Sequence, residues 1–462
     1  MNSITKQKVT AVFDIGKTNK KFFLFDSKYR EVYKEYIQFD EIIDEDGFPT
    51  EDLQALQNWI ESLFASVLTS EKYIVKAINF STYGASFVHL DKKGKVLTPL
   101  YNYLKPLPQE IIESFDQTYG DISEATGAPG SGMLNSGLQL YWLKRTKPKI
   151  FEKIKYSLHF PQYISYLFTG IPLSEYTSLG CHTALWDLDK KDYHDWVYKE
   201  KIDEKFPPIV STRTSINMVY KKNNIKIGVG IHDSSSALLP YIYSERSPFL
   251  LVSTGTWSVT LNPFNATKLT REDIENNCLN YMQIDGGRIK ATRFFMGYEY
   301  KLQVKKLSEY FDKKFGYHRT VKFDLKIYSK LIKNKDNKFN FEGIQIRKNN
   351  VDKTNFSQFG SFEEGFHQLM IELIQLQKSR VKMAISNSKI KIIYLEGGFI
   401  DNDIFVNLMG HHFRDYKVIS TKSPLGSALG AAMVISKKEV NKKFLKENYQ
   451  LKKLYPLKLA IE

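Results

Sequence analysis

Four apolar segments of this chain each end in a short turn that combines glycine with hydroxyl, carboxylate or lysine side chains. Apolar segments of this length predict buried β-strands, and glycine lets the backbone turn sharply or approach a ligand closely where a strand ends. The four turns have the sequences DIGKTNKK (14–21), GVGIHDSSSA (228–237), STGTWS (253–258) and EGGFIDN (396–402). The chain is therefore expected to build sheets that display polar groups at the ends of their strands.

Helical patterns alternate with these strands. The apolar residues between positions 53 and 68 recur at the spacing of an amphipathic helix, and further helices are expected over residues 133–154 and 160–168. A single hydrophobic core stops growing near roughly 250–300 residues. The length of 462 residues therefore predicts two α/β domains.

Composition narrows the class of protein. Hydrophobic residues make up 42% of the chain and charged residues 25%, as in folded globular proteins. The 66 Lys and Arg residues exceed the 51 Asp and Glu residues, and the net charge of +15 favours anionic ligands. These basic residues are spread along loops and the C-terminal tail without a nucleic-acid-binding motif, so we expect no nucleic-acid partner.

The number and spacing of the cysteines and the lack of long apolar runs indicate the cellular compartment. Cys181 and Cys278 are the only cysteines, and they lie far apart without a CxxC pattern, which argues against a disulfide framework and a structural zinc site. The N-terminal residues lack the apolar core of a signal peptide, and no run approaches the roughly 18 apolar residues of a membrane span. We therefore expect a cytoplasmic protein without a membrane partner.

The first turn has the composition of an anion-binding site. Backbone amides, a hydroxyl group and lysines close to one another can surround a phosphate, and the Asp14 carboxylate could hold a metal ion bound to that phosphate. The turn lacks the glycines of a phosphate-binding strand-to-helix loop, and a strand follows it. An ordinary hairpin with solvated lysines is the alternative interpretation.

The second turn places Asp233 at a strand end, before a run of small residues. An aspartate in this position can accept a proton from an alcohol, or it can simply cap the helix that follows. His232 is a candidate hydrogen-bond partner for a sugar, and a buried structural histidine fits the pattern at least as well.

The third and fourth turns offer groups that suit a nucleotide. Gly255 and the hydroxyl-bearing residues around it permit close backbone approach to a terminal phosphate. The paired glycines Gly397 and Gly398 allow a flat ring to lie on the backbone, and Asn402 can bond a base or cap a helix. Either turn alone is weak evidence, because a plain hairpin also explains the third and a helix cap the fourth.

Together, and in this order, the four turns resemble the motifs of the FGGY carbohydrate kinases, a family within the actin and Hsp70 ATPase superfamily. The likeness runs from Val9 to about Ile435. It implies an α/β fold of two actin-like (ribonuclease H-like) ATPase domains, with mixed β-sheets flanked by helices and an active-site cleft between the domains. Residues 1–243 would form the N-terminal, sugar-binding domain, and residues 244–462 the C-terminal, nucleotide-binding domain.

Within that family the chain looks most like the L-rhamnulose kinase and L-fuculose kinase branch, because of the hairpin STYGASFVHLDKKG, the histidine before Asp233, and GTWS after a short strand. The resemblance implies that Asp233 is the general base and that Asp14 holds Mg²⁺. It also implies that Gly84, His232, Asp233 and Ser234 bind the sugar. The residues that it implies for ATP binding are Lys17, Thr18, Asn19, Lys20, Lys21, Gly255, Thr256, Gly398 and Asn402.

The expected function is transfer of the γ-phosphate of ATP to a hydroxyl group of a ketose, such as the deoxyketohexoses L-rhamnulose or L-fuculose. Another ketose or polyol, such as xylulose, ribulose or fructose, is an alternative substrate. An actin-like ATPase without a sugar substrate is an alternative from a different class. The expected partners are the sugar and ATP, and the chain would act as a monomer or a homodimer.

Three features depart from the family pattern. Lys17 stands where the family usually has a small or hydroxyl residue. The segment YNYLKPLPQ (101–109) contains no Arg where many relatives have a basic sugar-site segment, and Phe294 occupies a position where rhamnulose kinases offer a sugar-facing Asn. These differences leave the identity of the sugar open.

Overall fold

A computed structural model of the chain describes residues 6–314, 316–334, 336–344, 353–422, 425–436, 440–441 and 443–458. The chain divides into two compact units, each of which is described by itself. Unit 1 comprises Met1–Ser244, Ala266–Ile289 and Leu425–Asn441, and unit 2 comprises Glu245–Asn265, Lys290–Pro424 and Lys442–Glu462. The domain prediction from sequence divides the chain once, between residues 243 and 244. It therefore assigns the two later segments of unit 1, Ala266–Ile289 and Leu425–Asn441, to the C-terminal domain.

Strands and helices alternate along much of the chain. The strands are β1 (Gln7–Ile15), β2 (Lys20–Phe25), β3 (Glu31–Ile37), β4 (Glu41–Ile43), β5 (Pro49–Glu51), β6 (Tyr73–Thr82), β7 (Phe87–Leu90), β8 (Tyr156–His159), β9 (Ser174–Glu175), β10 (Trp186–Asp187), β11 (Asp192–Tyr193), β12 (Ile209–Val210), β13 (Ser215–Tyr220), β14 (Asn223–Gly228), β15 (Ile231–His232), β16 (Phe249–Thr254), β17 (Ser258–Asn262), β18 (Cys278–Met282), β19 (Arg288–Phe294), β20 (Ile392–Gly397), β21 (Lys417–Lys422) and β22 (Gln450–Lys453).

The α-helices are α1 (Leu53–Leu68), α2 (Gln109–Tyr119), α3 (Ser123–Thr126), α4 (Ser136–Thr146), α5 (Pro148–Lys153), α6 (Phe160–Thr169), α7 (Tyr176–Leu179), α8 (Asp195–Lys199), α9 (Asp233–Ser244), α10 (Arg271–Glu275), α11 (Met296–Tyr310), α12 (Leu325–Leu331), α13 (Phe362–Ile385), α14 (Asp403–His412), α15 (Gly426–Val434) and α16 (Phe444–Asn448). Short 3-10 helices span Gly132–Leu134, Asp203–Lys205, Tyr317–Arg319, Phe356–Gln358 and Gly398–Asp401.

The main sheet of unit 1 has the order β13-β14-β6-β1-β2-β3, and β15 also pairs with β6. Strands β1, β14 and β15 each run parallel to β6, whereas β2, β3 and β13 run antiparallel to their neighbours. The register places Asp14 opposite Ser81 on β6 and opposite Lys21 on β2. Because parallel strands end on the same side of a sheet, β1, β6 and β15 direct their carboxyl ends to one edge.

Helix α1 confirms the amphipathic helix predicted from sequence. The Asp52 side chain caps it by accepting a hydrogen bond from the backbone amide of Ala55 at 2.9 Å. Its buried face belongs to the same apolar core as Phe13 of β1 and Phe80 of β6. Burial of that face against the sheet, more than intrinsic propensity, stabilises a helix of this length.

The sequence prediction of one continuous helix over residues 133–154 is wrong. The chain instead forms α4 and α5, which are separated at Lys147. Pro148 explains the break, because proline has no backbone N–H for the helix and disfavours helical geometry at the residue before it. The helix predicted over residues 160–168 is confirmed as α6, which ends at Gly170 in the left-handed conformation with φ 66°.

Unit 2 contains a second mixed sheet, in which six strands have the order β19-β17-β16-β20-β21-β22. The central strands β16, β20 and β21 are parallel, and Thr254 at the end of β16 lies opposite Gly397 at the end of β20. The 24-residue helix α13 supplies much of the apolar core, including Phe366 and Leu369. Both units therefore confirm the expected fold class of mixed sheets flanked by helices.

Two findings bear on the cysteines and on membranes. Cys181 and Cys278 are both buried and neither forms a disulfide. Within the described residues, no helix is both long enough and apolar enough to span a bilayer.

A buried ion pair fixes the first turn to β5. The Lys20 ammonium lies 2.8 Å from a carboxylate oxygen of Glu51, and both residues are buried. We expect Lys20→Met to lower the free energy of unfolding by about 3 kcal/mol, because the buried Glu51 charge would lose its nearest cation and keep only Lys17 at 3.8 Å. Urea unfolding should show a smaller loss for Lys20→Met/Glu51→Leu, and almost none for Lys76→Met on the exposed face of β6. Equal losses in the single and double variants would contradict this role.

Candidate active site

Three strand ends of unit 1 bring predicted site residues to one edge of the sheet. Asp14 is the next-to-last residue of β1, Gly84 follows the end of β6, and Asp233 follows β15 directly. The pairing of His232 with Thr82 keeps β15 beside β6 at this edge. Ligand sites of open α/β sheets commonly lie at such carboxyl edges.

Asp233 is the first residue of α9. One of its carboxylate oxygens accepts hydrogen bonds from the backbone amide of Ser234 at 2.5 Å and from the Ser234 hydroxyl at 3.1 Å. The side chain keeps 33% of its surface exposed, so a ligand can reach it. The surrounding protein nevertheless removes much of its hydration, and this burial raises the pKa of Asp233 to about 6 despite the opposing effect of Ser234. At neutral pH the carboxylate is ionised, and its basicity suits acceptance of a proton.

His232 is a buried, neutral neighbour of this carboxylate. Burial lowers the pKa of His232 to about 4. Its Nε2 lies 3.2 Å from the Asp233 carboxylate and 3.1 Å from the Cys181 sulfur, while its Nδ1 lies 3.3 Å from the Ser235 hydroxyl. The imidazole is neutral at neutral pH, so its contact with Asp233 is not an ion pair.

Asp14 is a second buried carboxylate at this edge. One oxygen accepts a hydrogen bond from the Ser427 hydroxyl at 2.8 Å, and the other lies 3.9 Å from the Lys21 ammonium. Burial raises the pKa of Asp14, and the nearby charge of Asp233 adds to the increase, while Lys21 and Ser427 oppose it. The charges of Asp14 and Asp233 therefore influence each other, and the Lys21 ammonium offsets part of this negative charge.

The carboxylates at this sheet edge suit Mg²⁺ better than a metal ion whose ligands are all protein side chains. Among the residues that the structure describes, no group of three or more His, Cys, Asp or Glu side chains could hold a metal ion. Mg²⁺ commonly binds through one or two carboxylates together with water and substrate phosphates. Asp14, buried and beside a second carboxylate, fits that kind of site.

The lysines of the first turn do not share one environment. The Lys17 ammonium lies 2.8 Å from Glu41, and Lys20 pairs with Glu51. Only Lys21 among these three pairs with Asp14. Thr18 and Asn19, which complete the predicted phosphate-binding segment, are exposed at the tip of the turn. The predicted binding of phosphate by all five residues stays a prediction, and Lys21 is the lysine placed beside the metal candidate.

Gly84 packs directly against the residues that flank Asp233. A Cβ atom at position 84 would lie 2.6 Å from the Cys181 sulfur and 3.2 Å from Cδ2 of His232. Glycine is therefore required by packing as well as by any role in sugar binding. Tyr103 also lies near Asp233. Burial raises the pKa of Tyr103 to about 12, and the charge of Asp233 contributes to the increase.

In unit 2, the predicted nucleotide residues line one cavity of about 660 Å³. Gly255, Thr256, Gly398 and Asn402 all contribute to its wall. A Cβ atom at Gly398 would meet no protein atom within 4 Å, so the backbone there is open. The volume lies within the roughly 300–1,000 Å³ range of small-molecule pockets.

The ends of β16 and β20 are held together at this cavity. The Thr254 hydroxyl donates a hydrogen bond to the Glu396 carbonyl oxygen at 2.6 Å and accepts one from the Phe399 amide at 3.2 Å. Asn402 caps α14 by accepting a hydrogen bond from the Phe405 amide at 2.9 Å. The cap occupies the side-chain oxygen of Asn402, and its amide nitrogen makes long contacts with the Tyr300 hydroxyl at 3.5 Å and the Met370 sulfur at 3.8 Å, which a ligand would have to replace.

Sequence reasoning missed several residues of both sites. In unit 1 it missed Ser427, whose position in a run of small residues gave no sign of a contact with Asp14. Tyr103 lies in a segment that was noted only for its lack of arginine. In unit 2 the cavity also contains basic side chains that no motif marked, namely Lys301, Arg319 and Lys322.

The close packing of Gly84 against Cys181 and His232 can be tested by substitution. We expect Gly84→Ala to displace His232, which would lower kcat about tenfold and stability by about 1–3 kcal/mol. Gly84→Ala/Cys181→Ala should recover part of both losses, because it removes the sulfur that the new methyl group would meet. Gly130→Ala is the control, since a Cβ there meets nothing within 4 Å. Thermal unfolding and steady-state kinetics give the readouts, and no recovery in the double variant would contradict the contact.

Comparison with known proteins gives a family and a set of similar folds. The profile of the FGGY family of carbohydrate kinases, N-terminal domain, matches residues 9–239. A rhamnulokinase from Yersinia pestis (strain Pestoides F) is 27% identical over 271 residues, which cover 54% of this chain and 52% of the relative. The match thus spans about half the length of the curated relative.

Solved structures of similar fold cover almost the whole chain. A ligand-bound xylulose kinase from Lactobacillus acidophilus has a TM-score of 0.79 at 16% identity, covering 97% of this chain and 94% of the other. A carbohydrate kinase from Novosphingobium aromaticivorans has a TM-score of 0.75 at 20% identity, covering 98% of this chain and 95% of the other. At these identities the likeness shows the fold.

Proposed function

Because this chain belongs to the FGGY family of carbohydrate kinases, we propose that it transfers the γ-phosphate of ATP to a hydroxyl group of a ketose sugar. The observation that carries the proposal is the pair of carboxylates at one sheet edge of unit 1, each with a raised pKa but with different neighbours. Asp14 has a lysine and a hydroxyl group beside it, whereas Asp233 has a neutral histidine. Different surroundings allow two carboxylates to take different roles.

Asp233 is the proposed general base. The sugar hydroxyl oxygen attacks the γ-phosphorus, the bond from that phosphorus to the bridging oxygen breaks, and ADP leaves. The hydroxyl proton passes to the Asp233 carboxylate, which is ionised above about pH 6. The Ser234 amide and hydroxyl hold this carboxylate. His232 lies beside it, and Gly84, His232 and Ser234 would contact the sugar.

Asp14 is the proposed metal-binding carboxylate. A bound Mg²⁺ would supply positive charge that stabilises the phosphate oxygens during transfer. Ser427 and Lys21 orient the Asp14 carboxylate from opposite oxygens. Lys21 would also face the phosphates, whereas the carboxylates of Glu41 and Glu51 already balance the charges of Lys17 and Lys20.

The cavity of unit 2 is the proposed nucleotide site. The open backbone at Gly398 would lie against the adenosine, and Gly255 with Thr256 would contact the terminal phosphates. The basic side chains Lys301 and Arg319 in the cavity wall suit a polyanionic ligand.

A deoxyketohexose such as L-rhamnulose or L-fuculose is the proposed sugar. The match to rhamnulokinase supports this choice. Tyr103 is close to Asp233 and partly exposed, so aromatic surface is available near the base. Such surface would suit the methyl group of a deoxy sugar, although other ketoses share the reacting hydroxyl groups.

A coupled ADP-release assay across sugars tests the proposed function. The panel contains L-rhamnulose, L-fuculose, xylulose, ribulose, fructose and matching polyols, each with Mg²⁺ and ATP. We expect ADP release to depend on a sugar and to be fastest with a deoxyketohexose. ADP release at the same rate without any sugar would instead support the actin-like ATPase alternative.

Replacement of the proposed base should separate chemistry from nucleotide binding. We expect Asp233→Asn to lower kcat by about 10²- to 10⁴-fold, because the amide cannot accept the proton. ADP binding, measured by calorimetry, should stay close to that of the wild type. Asp116→Asn, the same change at an exposed position of α2, is the control. Retention of more than a few per cent of kcat by Asp233→Asn would exclude Asp233 as the base.

The acid side of the pH profile should report the pKa of Asp233. We expect kcat/KM to fall tenfold per pH unit below about pH 6, because protonation removes the base. The Ser234 hydroxyl lowers the pKa of Asp233, so Ser234→Ala should move this limb to higher pH. His232, with a pKa near 4, stays neutral over the range and should add no second limb above pH 5. A wild-type limb near pH 4 would contradict this assignment.

A further inference from the structure

A second concavity of unit 2 is lined mainly by basic side chains. It measures about 330 Å³, and we call it the basic cavity. Helix α13 contributes two lysines, the last turn of α14 contributes two histidines, and the following segment adds an arginine and one acid. These residues are Lys378, Lys382, His411, His412, Arg414 and Asp415.

The permanent cations of the basic cavity have no carboxylate partner. Within the described part of the chain, no ion pair joins Lys378, Lys382 or Arg414 to an acidic side chain. Lysines elsewhere in unit 2 do find partners, as Lys330 does with Glu364 at 2.7 Å. Three permanent cations line the cavity against the one acid Asp415, so the cations repel one another, and a bound anion would relieve that repulsion.

The two histidines experience the same excess of positive charge. Burial, together with the charge of Lys378, lowers the pKa of His412 to about 4. Burial also lowers the pKa of His411, with contributions from Arg414 and Lys378. The Nδ1 atom of His411 is buried and has no hydrogen-bond partner among the described residues. His411 therefore lines the cavity with a ring nitrogen whose hydrogen-bonding capacity is unused among the described residues.

Stabilisation of helix ends accounts for only part of this cluster. Basic residues in the last turn of a helix complement its dipole, and Lys382, His411 and His412 occupy such positions. Lys378 lies about two turns before the end of α13, and Arg414 lies beyond the end of α14. The dipole effect falls off within one turn, so it can include Arg414 but gives no reason for Lys378 to face the same concavity.

We propose that the basic cavity binds a small anion that carries one or two phosphate groups. Phosphate oxygens accept strong, charge-assisted hydrogen bonds from lysine and arginine, and the volume is sufficient for such a molecule. The cavity is distinct from the nucleotide cavity, because Asp403 at the start of α14 lines one and His412 at its end lines the other. The 10 residues of α14 separate the two by about 15 Å. The proposal goes beyond the kinase function and does not depend on it.

Calorimetric titration with inorganic phosphate and with pyrophosphate tests the basic cavity. The full-length protein is titrated without Mg²⁺ and without nucleotide, because ADP itself carries two phosphate groups and would compete for the basic cavity. It carries Lys301→Gln/Arg319→Gln, which removes two cations from the nucleotide cavity. We expect saturable binding at one site per chain. Lys378→Gln/Lys382→Gln should weaken it at least tenfold, because two charge-assisted contacts are lost.

A matched double variant separates a built site from general attraction to a basic protein. Lys389→Gln/Lys391→Gln removes the same net charge from exposed positions of unit 2 outside the cavity, and it should keep wild-type affinity. NMR signals of His411 and His412 should also shift when phosphate is added to the wild type. Absence of saturable binding, or equal weakening in both double variants, would overturn the proposal. Because the readout is binding, its failure leaves the kinase proposal untouched.

Discussion

The parallel pairing of β1 and β15 with β6 is the constraint on which the proposed chemistry depends. It sets the end of each strand at one sheet edge and thereby brings together Asp14 and Asp233, which are 219 positions apart in sequence. Burial disfavours the charged form of both carboxylates, so each needs neighbouring groups that favour its ionised form. The opposing groups differ: Lys21 and Ser427 lower the pKa of Asp14, whereas Ser234 lowers that of Asp233.

This difference in surroundings is what allows a metal-binding carboxylate and a base to share one edge. A carboxylate beside a cation and a hydroxyl donor favours its ionised form and can face a metal. A carboxylate with a pKa near 6 remains ionised at neutral pH yet is basic enough to accept a proton. The same principle separates the lysines of the first turn, since Glu41 and Glu51 balance two of them and leave Lys21 beside Asp14.

Much of the framework could be predicted from sequence, because local patterns determine it. Strand β1, helix α1 and the helix start at Asp233 follow from periodicity and from turn composition. Long-range partners could not be predicted in this way. The contact of Ser427 with Asp14 spans 413 positions, and the acids that pair with Lys17 and Lys20 come from the separate β4–β5 hairpin. The break at Pro148 had a visible local signal, which the apolar periodicity on both sides obscured.

Phosphorus-31 NMR of a single reaction mixture tests the central claim most directly. The protein is incubated with Mg²⁺, ATP and L-rhamnulose or L-fuculose, and the products are followed over time. Transfer to the sugar predicts a sugar-phosphate signal that grows in step with ADP, with little inorganic phosphate. ADP accompanied only by inorganic phosphate, with every sugar of the panel, would contradict phosphoryl transfer to a sugar hydroxyl.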